Sequence, residues 1–393
     1  MIVAVTMLAG LITGIGAVTD IERAGAASVA VARDAGLLHA TPLIPILSRD
    51  CGFTVQLSDG NVLWIFCDSF YQSNTGKLHA SQSNTAAFAA AATKTTQQEN
   101  IYRFYGENIL NADANHWGGL SFITLPSAPA NFPCTNGIRK AWPRGAVTVP
   151  NGAPGGGDRV LVYYSRICDS SATNGNFSYA HNGIGIAAFD YRPASFNPTT
   201  GPTAPIVATI LNDSLFASNT PFGSGAQLAA DGYLYTYFCS TVSCAAARVN
   251  PANAAIAGKY QKWNGVLWGN QSAAMIMPGT SVPMSEMTVQ WVPKAGKYVM
   301  TYSECGNGCT IIMYDRLVIR TATKPAGPWS AAVEVMLPGC TQSLTDTPCN
   351  AALSHVELDS TNLAVTWSRR NEGSSPTDRL HWGTIPMNTV IFA

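Results

Sequence analysis

The chain has 393 residues, with 23 Lys or Arg balanced by 23 Asp or Glu, so charged residues make up 12% where soluble domains average about 25%. A net charge of zero leaves no basic excess to neutralise phosphates, which excludes nucleic acid and an anionic membrane surface as charge-driven partners. With 47% hydrophobic residues, and with Gly and Pro spread along the chain, the composition excludes disorder and allows a large core.

In chain order, residues 1–32 come first. Ile2 to Val18 is apolar apart from Thr6 and Thr13, and small-residue sites follow at Ala24-Gly25-Ala26 and Ala30-Val31-Ala32. This is the pattern of a secretory signal. It lacks a basic n-region, so a membrane anchor or a truncated start stays open beside it. Ten cysteines, at 51, 67, 134, 168, 239, 244, 305, 309, 340 and 349, include the short separations Cys239/Cys244, Cys305/Cys309 and Cys340/Cys349. Without His or paired CxxC clusters they predict local disulfides rather than zinc, and hence an oxidising compartment. The sequons at Asn176, Asn212 and Asn270 are compatible with secretion but occur readily by chance.

From about Asp50 a pattern recurs five times: a strand-like run, a Gly, Asp or polar turn, then a β-branched and aromatic run. The second runs are Asn61–Phe66, Arg159–Tyr164, Tyr233–Phe238, Lys297–Tyr302 and Asn362–Trp367. The preceding runs are Phe53–Leu57, Ala146–Val149, Ala226–Ala229, Met287–Val292 and His355–Leu358. Each pair reads as a hairpin. A third strand follows at Thr85–Ala89, Gly185–Phe189, Ala245–Val249, Leu317–Thr321 and Leu380–Ile385. The Ala-rich stretch Ala86–Ala92 admits a helix, but its flanking Ser and Thr and its place in the repeat favour a strand. The fold expected is all-β, a five-bladed β-propeller, with residues 33–393 as its single domain. The turns Asp59, Asp158, Asp231, Gly296 and Thr361 are 99, 73, 65 and 65 residues apart. A compact blade needs about 40 to 45, so insertions lie between blades. The largest, Gln97–Asn136, carries His116 and Trp117. The terminal strand Thr389–Phe392 is expected to complete a blade begun near Leu43–Leu47.

In a propeller the first strand of each blade lines the central channel, where polar residues converge. Those positions give Arg49-Asp50, Trp142 and Arg144, Ser224 and Gln227, Glu286, then His355 and Glu357. Asp50 and Glu286 can face each other across a cavity although 236 positions apart. Asp68 ends the second strand of the first hairpin and approaches Asp50, and Cys51 and Cys67 can bridge the same pair of strands. Close carboxylates push one pKa upward, which suits a general acid, and glycoside cleavage needs one carboxylic acid and one carboxylate. Asp50, Asp68 and Glu286 are the catalytic candidates. Arg49, Trp142, Arg144 and His355 are the substrate-binding candidates, with Trp117 and Tyr71 as further stacking faces. The scheme calls for no metal and no cofactor. Serine hydrolase elbows, zincin helices and phosphate loops are missing from the sequence.

Three segments carry a resemblance. Arg49-Asp50-Cys51-Gly52 resembles an Arg-Asp-Gly-Gly start to blade one, and Leu63–Ser69 resembles a Leu-Trp-x-Phe-Gly-Asp-Thr strand. Ile319–Trp329 resembles a late-blade signature shared by propeller glycosidases. Over about residues 45 to 393 the chain looks like the endo-D-arabinanase family of five-bladed propeller glycoside hydrolases, related in fold to arabinanases and fructosidases and once described as a domain of unknown function. The resemblance implies catalysis by Asp50 with Asp68 close by, and Cys51 and Cys67 stand where the family has glycine. The expected protein is a secreted monomer that cuts inside a furanoside polysaccharide, D-arabinan ahead of L-arabinan and fructan. It inserts in no membrane once processed. A non-catalytic, lectin-like propeller that binds carbohydrate is the alternative.

Overall fold

The computed structural model describes residues 29–37, 46–72, 78–89, 104–105, 109–113, 116–119, 121–127, 132–170, 178–197, 201–202, 205–240, 244–274, 276–277, 286–304, 314–337, 340, 349–358, 363–370, 382–384 and 386–392. Strand β1 (Val29–Leu37) precedes the first sheet, which is built from β2 (Ile46–Gln56), β3 (Val62–Gln72), β4 (Leu78–Gln82), β5 (Thr85–Ala89) and β6 (Phe104–Tyr105). β5 lies where the Ala-rich stretch begins and is a strand. The hairpin β7 (Ile109–Asp113) and β8 (His116–Gly119) occupies the first insertion. The second sheet is β9 (Ile138–Val149), β10 (Asp158–Asp169), β11 (Tyr179–Tyr191) and β14 (Thr209–Phe216), interrupted by the small hairpin β12 (Phe196–Asn197) and β13 (Gly201–Pro202). The third runs in order through β15 (Ser224–Leu228), β16 (Leu234–Cys239), β17 (Cys244–Val249), β18 (Gln261–Trp263) and β19 (Trp268–Gly269). β20 (Met287–Val292), β21 (Lys297–Glu304), β22 (Arg316–Ala322) and β23 (Val333–Met336) make the fourth. The remaining sheet combines β24 (Cys349–His355), β25 (Leu363–Arg370), β26 (Trp382–Thr384) and β27 (Pro386–Phe392) with β1.

The protein is an all-β propeller of radially arranged antiparallel sheets. Four blades are cut from one continuous stretch of chain each, where the repeat pattern predicts five. The fifth unit instead shares its sheet with the N-terminal strand. The expected closure is therefore corrected: β27 pairs with β25 on one side and with β1 on the other, not with a strand near Leu43–Leu47. Joining both ends of the chain removes two free sheet edges at once.

Period-two alternation divides each strand between two interfaces, because both faces of a blade are covered. On β3, Leu63 and Ile65 pack with Val160, Val162 and Tyr164 of the second sheet, while Val62, Trp64 and Phe66 pack with Leu358 and Ala364 of the closing sheet. On β16, Leu234 faces Tyr163 and Ile186, and Tyr235 and Tyr237 face Met287, Met300 and Tyr302. Val299 and Ile319 meet Val365 and Trp367. Burying one such side chain contributes about 1.5–3 kcal/mol. The first strands also touch: β2 with β9, β9 with β15, β15 with β20, β20 with β24, and β24 with β2. Close approach is built in at Gly145 on β9, where a Cβ would lie 2.8 Å from Gly223 O and 2.9 Å from Ala226 N. Among the described residues no helix is long and apolar enough to cross a membrane.

Among the described residues, four disulfides pin the sheets: Cys51–Cys67 and Cys239–Cys244 staple hairpins, Cys340–Cys349 joins positions nine apart, and Cys134–Cys168 ties the start of the second sheet to the end of β10. Cys305 and Cys309, Asn176, residues 1–28, and the side chains of Arg49, Tyr71, His116 and Trp117 lie outside the described residues. Asn212 is engaged, its Nδ2 donating to Ala255 O at 2.9 Å.

Candidate active site

The channel residues are placed by β-bulges at the same end of successive first strands. On β2 the register slips between Arg49↔Ser69 and Cys51↔Phe66, so Asp50 leaves the ladder, and Cys51 takes a left-handed backbone at φ 60°. On β9 the slip between Gly145↔Tyr163 and Pro143↔Tyr164 sets Arg144 outside the pairing. On β15 it follows Ser224, with Gly225 at φ 60°, and on β24 it follows Asn350, with Ala351 at φ 51°. A bulge turns a side chain out of the two-residue alternation and aims it elsewhere. A left-handed Cys or Ala costs roughly 1–3 kcal/mol, so the strain lies beside the residues it positions. On β20 no such slip occurs, and Glu286 directly precedes the strand.

The resulting contacts join all five large sheets. Asp50 Oδ1 accepts from the Cys51 N–H at 2.8 Å, Asn350 Nδ2 reaches Asp50 Oδ2 at 3.5 Å, and the Ser368 hydroxyl bonds the same carboxyl. All these partners are neutral. Burial, then the charge of Glu286, outweigh these bonds and push the Asp50 carboxyl up to about 7, with Asp68 adding a smaller push. Glu286 also lies beside the Cys51–Cys67 disulfide, its carboxylate within 4.8 Å of both sulfurs. Arg144 faces Glu286 from the second sheet and donates from Nε to Ser224 Oγ at 3.2 Å and from Nη1 to Ser165 Oγ at 3.4 Å. Burial lowers the Arg144 guanidinium from its usual value and the Glu286 charge partly restores it.

Asp68, across the disulfide from Asp50, has charged support. Lys140 Nζ lies 3.0 Å from Asp68 Oδ2 and 2.9 Å from Asp169 Oδ2, and Trp142 Nε1 donates to Asp68 Oδ1 at 3.0 Å. Burial alone would lower the Lys140 ammonium, but Asp68 and Asp169 together raise it. Tyr179 stands edge-on to Trp142 at 5.3 Å and His181 edge-on to Tyr179 at 5.5 Å, extending an aromatic wall. Burial, then Arg144, lower His181 to about 4, so its ring is neutral at neutral pH.

Thus Asp50, Asp68, Glu286, Trp142 and Arg144 come together, and Arg49 directly precedes Asp50 on β2. His355 does not join them. It is completely buried, its ring nitrogens bonded to Thr54 Oγ1 at 2.6 Å and Thr366 Oγ1 at 2.7 Å, with Trp64 at 5.0 Å. Its substrate-binding assignment is corrected to a core histidine that burial lowers to about 3. Glu357 likewise meets Gln290 Nε2, at 2.9 Å. The cause is a shift of register: β24 begins at Cys349 and ends at His355, so its channel residue is Asn350. Lys140, Asp169, Tyr179, His181 and Ser368 were also missed. Lys140 and Trp142 share one phase of β9, a signal legible once Trp142 is placed. Among the described residues, the grouping with metal-ligand spacing is Cys51, Cys67 and Glu286. With both sulfurs in a disulfide, it offers a single carboxylate and not a metal site.

Residues 147–372, more than half of the chain, match the family model described as "Domain of unknown function (DUF4185)". No curated protein matches the sequence. Among solved structures, a Bacteroides ovatus ATCC 8483 protein provisionally described as a hydrolase is 16% identical, with a TM-score of 0.61, over 91% of this chain and 87% of its own. At that identity the likeness is one of fold. The exo-beta-1,3-galactanase of Phanerochaete chrysosporium is 13% identical over 91% of this chain and 63% of its own, at a TM-score of 0.45. A GH43_1 enzyme from Xanthomonas citri is 12% identical over 92% and 90%, at 0.44.

Proposed function

The chain belongs to the DUF4185 family, and from its site we propose that it is a secreted glycoside hydrolase acting inside a furanoside polysaccharide, with D-arabinan the first candidate. The observation that carries this is the Asp50 carboxyl, pushed up to about 7 beside Glu286 in a channel walled by Trp142, Tyr179 and Arg144. With its carboxyl at about 7, Asp50 carries a proton in part of the molecules at neutral pH and is the protonated member of the pair, beside the charge of Glu286. The protonated member gives its proton to the leaving glycosidic oxygen, while the ionised member activates water or attacks the anomeric carbon. Asp68, gripped by Lys140 and Trp142, is a fixed charge that orients the sugar and tunes Asp50. Trp142 offers a stacking face, Arg144 and Arg49 bind hydroxyls, and no step requires a metal.

The cyclic contact of the first strands supports counting the closing sheet as a fifth blade, within one catalytic domain that takes in β1 and so starts by Val29 rather than at residue 33. The disulfides support an extracellular location, with the signal ending at the Ala24-Gly25-Ala26 site, ahead of β1. The test is a product profile on D-arabinan, L-arabinan and fructan with the wild type and Asp50→Asn. Endo-type oligosaccharides from one polymer, lost in Asp50→Asn while binding persists, are expected. No turnover of any of them by the wild type rejects the hydrolase in favour of a lectin-like propeller.

A further inference from the structure

A second cleft, of about 660 Å³, opens between the third and fourth sheets. Ser224 and Glu286 mark the channel ends of β15 and β20, whereas this cleft is lined from the opposite ends of the same hairpins. Asp231 lies in the turn after β15, and Lys324 follows the end of β22. It therefore faces away from the carboxylates, on the other side of the ring.

Its wall is aromatic. Trp263 and Trp268 are opposite one another in the β18–β19 ladder, with ring centroids 5.2 Å apart and planes at 47°, and both are half-buried. Tyr235 meets Trp268 edge-on at 5.4 Å, and the Arg248 guanidinium caps Trp268 at 4.5 Å. Trp268 is thus held from two sides, and Trp263 is the ring left at the mouth. Polar groups stand around it. Asp231 accepts from the Tyr235 hydroxyl at 2.7 Å and keeps a 44% exposed side chain, and among the described residues Lys324 has no ion-pair partner. Partly exposed indoles flanked by a carboxylate and an ammonium are a poor seal for a sheet edge. They suit a ligand with flat apolar faces and hydroxyl edges, which is the chemistry of a sugar ring. Asp231 offsets Arg248 at 3.7 Å, which leaves the one Lys324 ammonium to bond to a ligand.

We propose that this cleft is a second saccharide-binding site, which takes a segment of polysaccharide against Trp263, with Asp231 and Lys324 bonding to its hydroxyls. The inference rests on the polysaccharide-directed reading of the channel. On the opposite face, the cleft holds a different stretch of polymer from the one being cut, so it governs retention on the polymer and not bond cleavage.

The test uses the full chain carrying Asp50→Asn, alone and with Trp263→Ala or Lys324→Ala, mixed with insoluble D-arabinan, L-arabinan and fructan, the bound fraction being read by depletion and each variant's folding by its melting curve. Trp263→Ala is expected to weaken polymer binding about tenfold, and Lys324→Ala, on an exposed side chain that folding does not need, about threefold. In the otherwise wild-type enzyme, Trp263→Ala should leave kcat/KM on a short soluble oligosaccharide unchanged. Equal polymer binding by the Trp263 and Lys324 variants, or binding to none of the polymers, overturns the proposal, as does an equal loss on the short substrate. If the wild type cuts nothing yet binds polymer through Trp263, the cleft stands and the hydrolase reading falls.

Discussion

Asp50 and Asp68 are the same residue type on the two strands of one disulfide-stapled pair, yet they have opposite surroundings. Asp68 receives an ammonium and an indole N–H from β9, and its neighbour Asp169 shares the ammonium. Asp50 receives a backbone N–H, an amide and a hydroxyl, and faces a second carboxylate. The difference teaches where this fold spends stability. A buried charge with a matched partner organises the wall, and one without a matched partner is destabilised in its ionised form and so holds a proton at neutral pH.

The largest effect expected is on turnover. Asp50→Asn should lower kcat by on the order of 10³-fold, since a proton-transfer group is lost, measured on the polymer that the wild type cuts. The comparison predicts that the same substitution stabilises the protein. Asp50 is an acid whose folded pKa lies above its unfolded value, so its contribution is full below about pH 4 and is lost as the pH rises toward 7. Removing the ionisable group should recover up to about 4 kcal/mol at pH 8, read as a higher Tm; a lower Tm at pH 8 breaks the comparison. His355 has the opposite sign. As a base lowered to about 3, its contribution is full above pH 6.5 and is lost as the pH falls toward 3, so acid unfolding should set in across that window.

On the matched side, Lys140→Met leaves Asp68 and Asp169 facing each other without a cation and should cost about 3–5 kcal/mol in denaturant unfolding. Replacing both Cys51 and Cys67 by Ala opens a loop of 16 residues and should cost about 3 kcal/mol, with a fall in kcat as the Asp50 bulge relaxes. The smallest change, Trp142→Phe, removes one hydrogen bond to Asp68 and should cost about 1 kcal/mol while raising KM. If Trp142→Phe proves more damaging than Lys140→Met, the indole and not the ammonium anchors Asp68.

Much of this was legible in the sequence, and the limits have physical causes. Continuous β-branched and aromatic runs bounded by turns located β3, β10, β16, β21 and β25, because both faces of these strands are buried and their composition is therefore strongly constrained. Asp50 and Glu286 emerged because they stand at first strands in a chain poor in charge. The bulges were not legible: Asn350 and Arg144 owe their direction to slips in pairing, which depend on partner strands far away in the chain. His355 was misplaced by one such error of register, since alternation alone does not say where β24 begins. The ring closure through β1 was hidden because a small-residue cleavage site, Ala30-Val31-Ala32, falls inside Val29–Leu37 and assigns the start of the strand to the signal segment. Lys140 and Asp169 reveal themselves as partners only when β9 and β10 are laid side by side.

The most direct test of the central claim is a carboxyl NMR titration of the protein with ¹³C-labelled aspartate, the Asp50 signal being assigned by its loss in Asp50→Asn. The account predicts an inflection at about pH 7 for Asp50, moving down when Glu286→Gln removes the neighbouring charge. An Asp50 signal that titrates near the ordinary aspartate value of about 4, unmoved by Glu286→Gln, would contradict it.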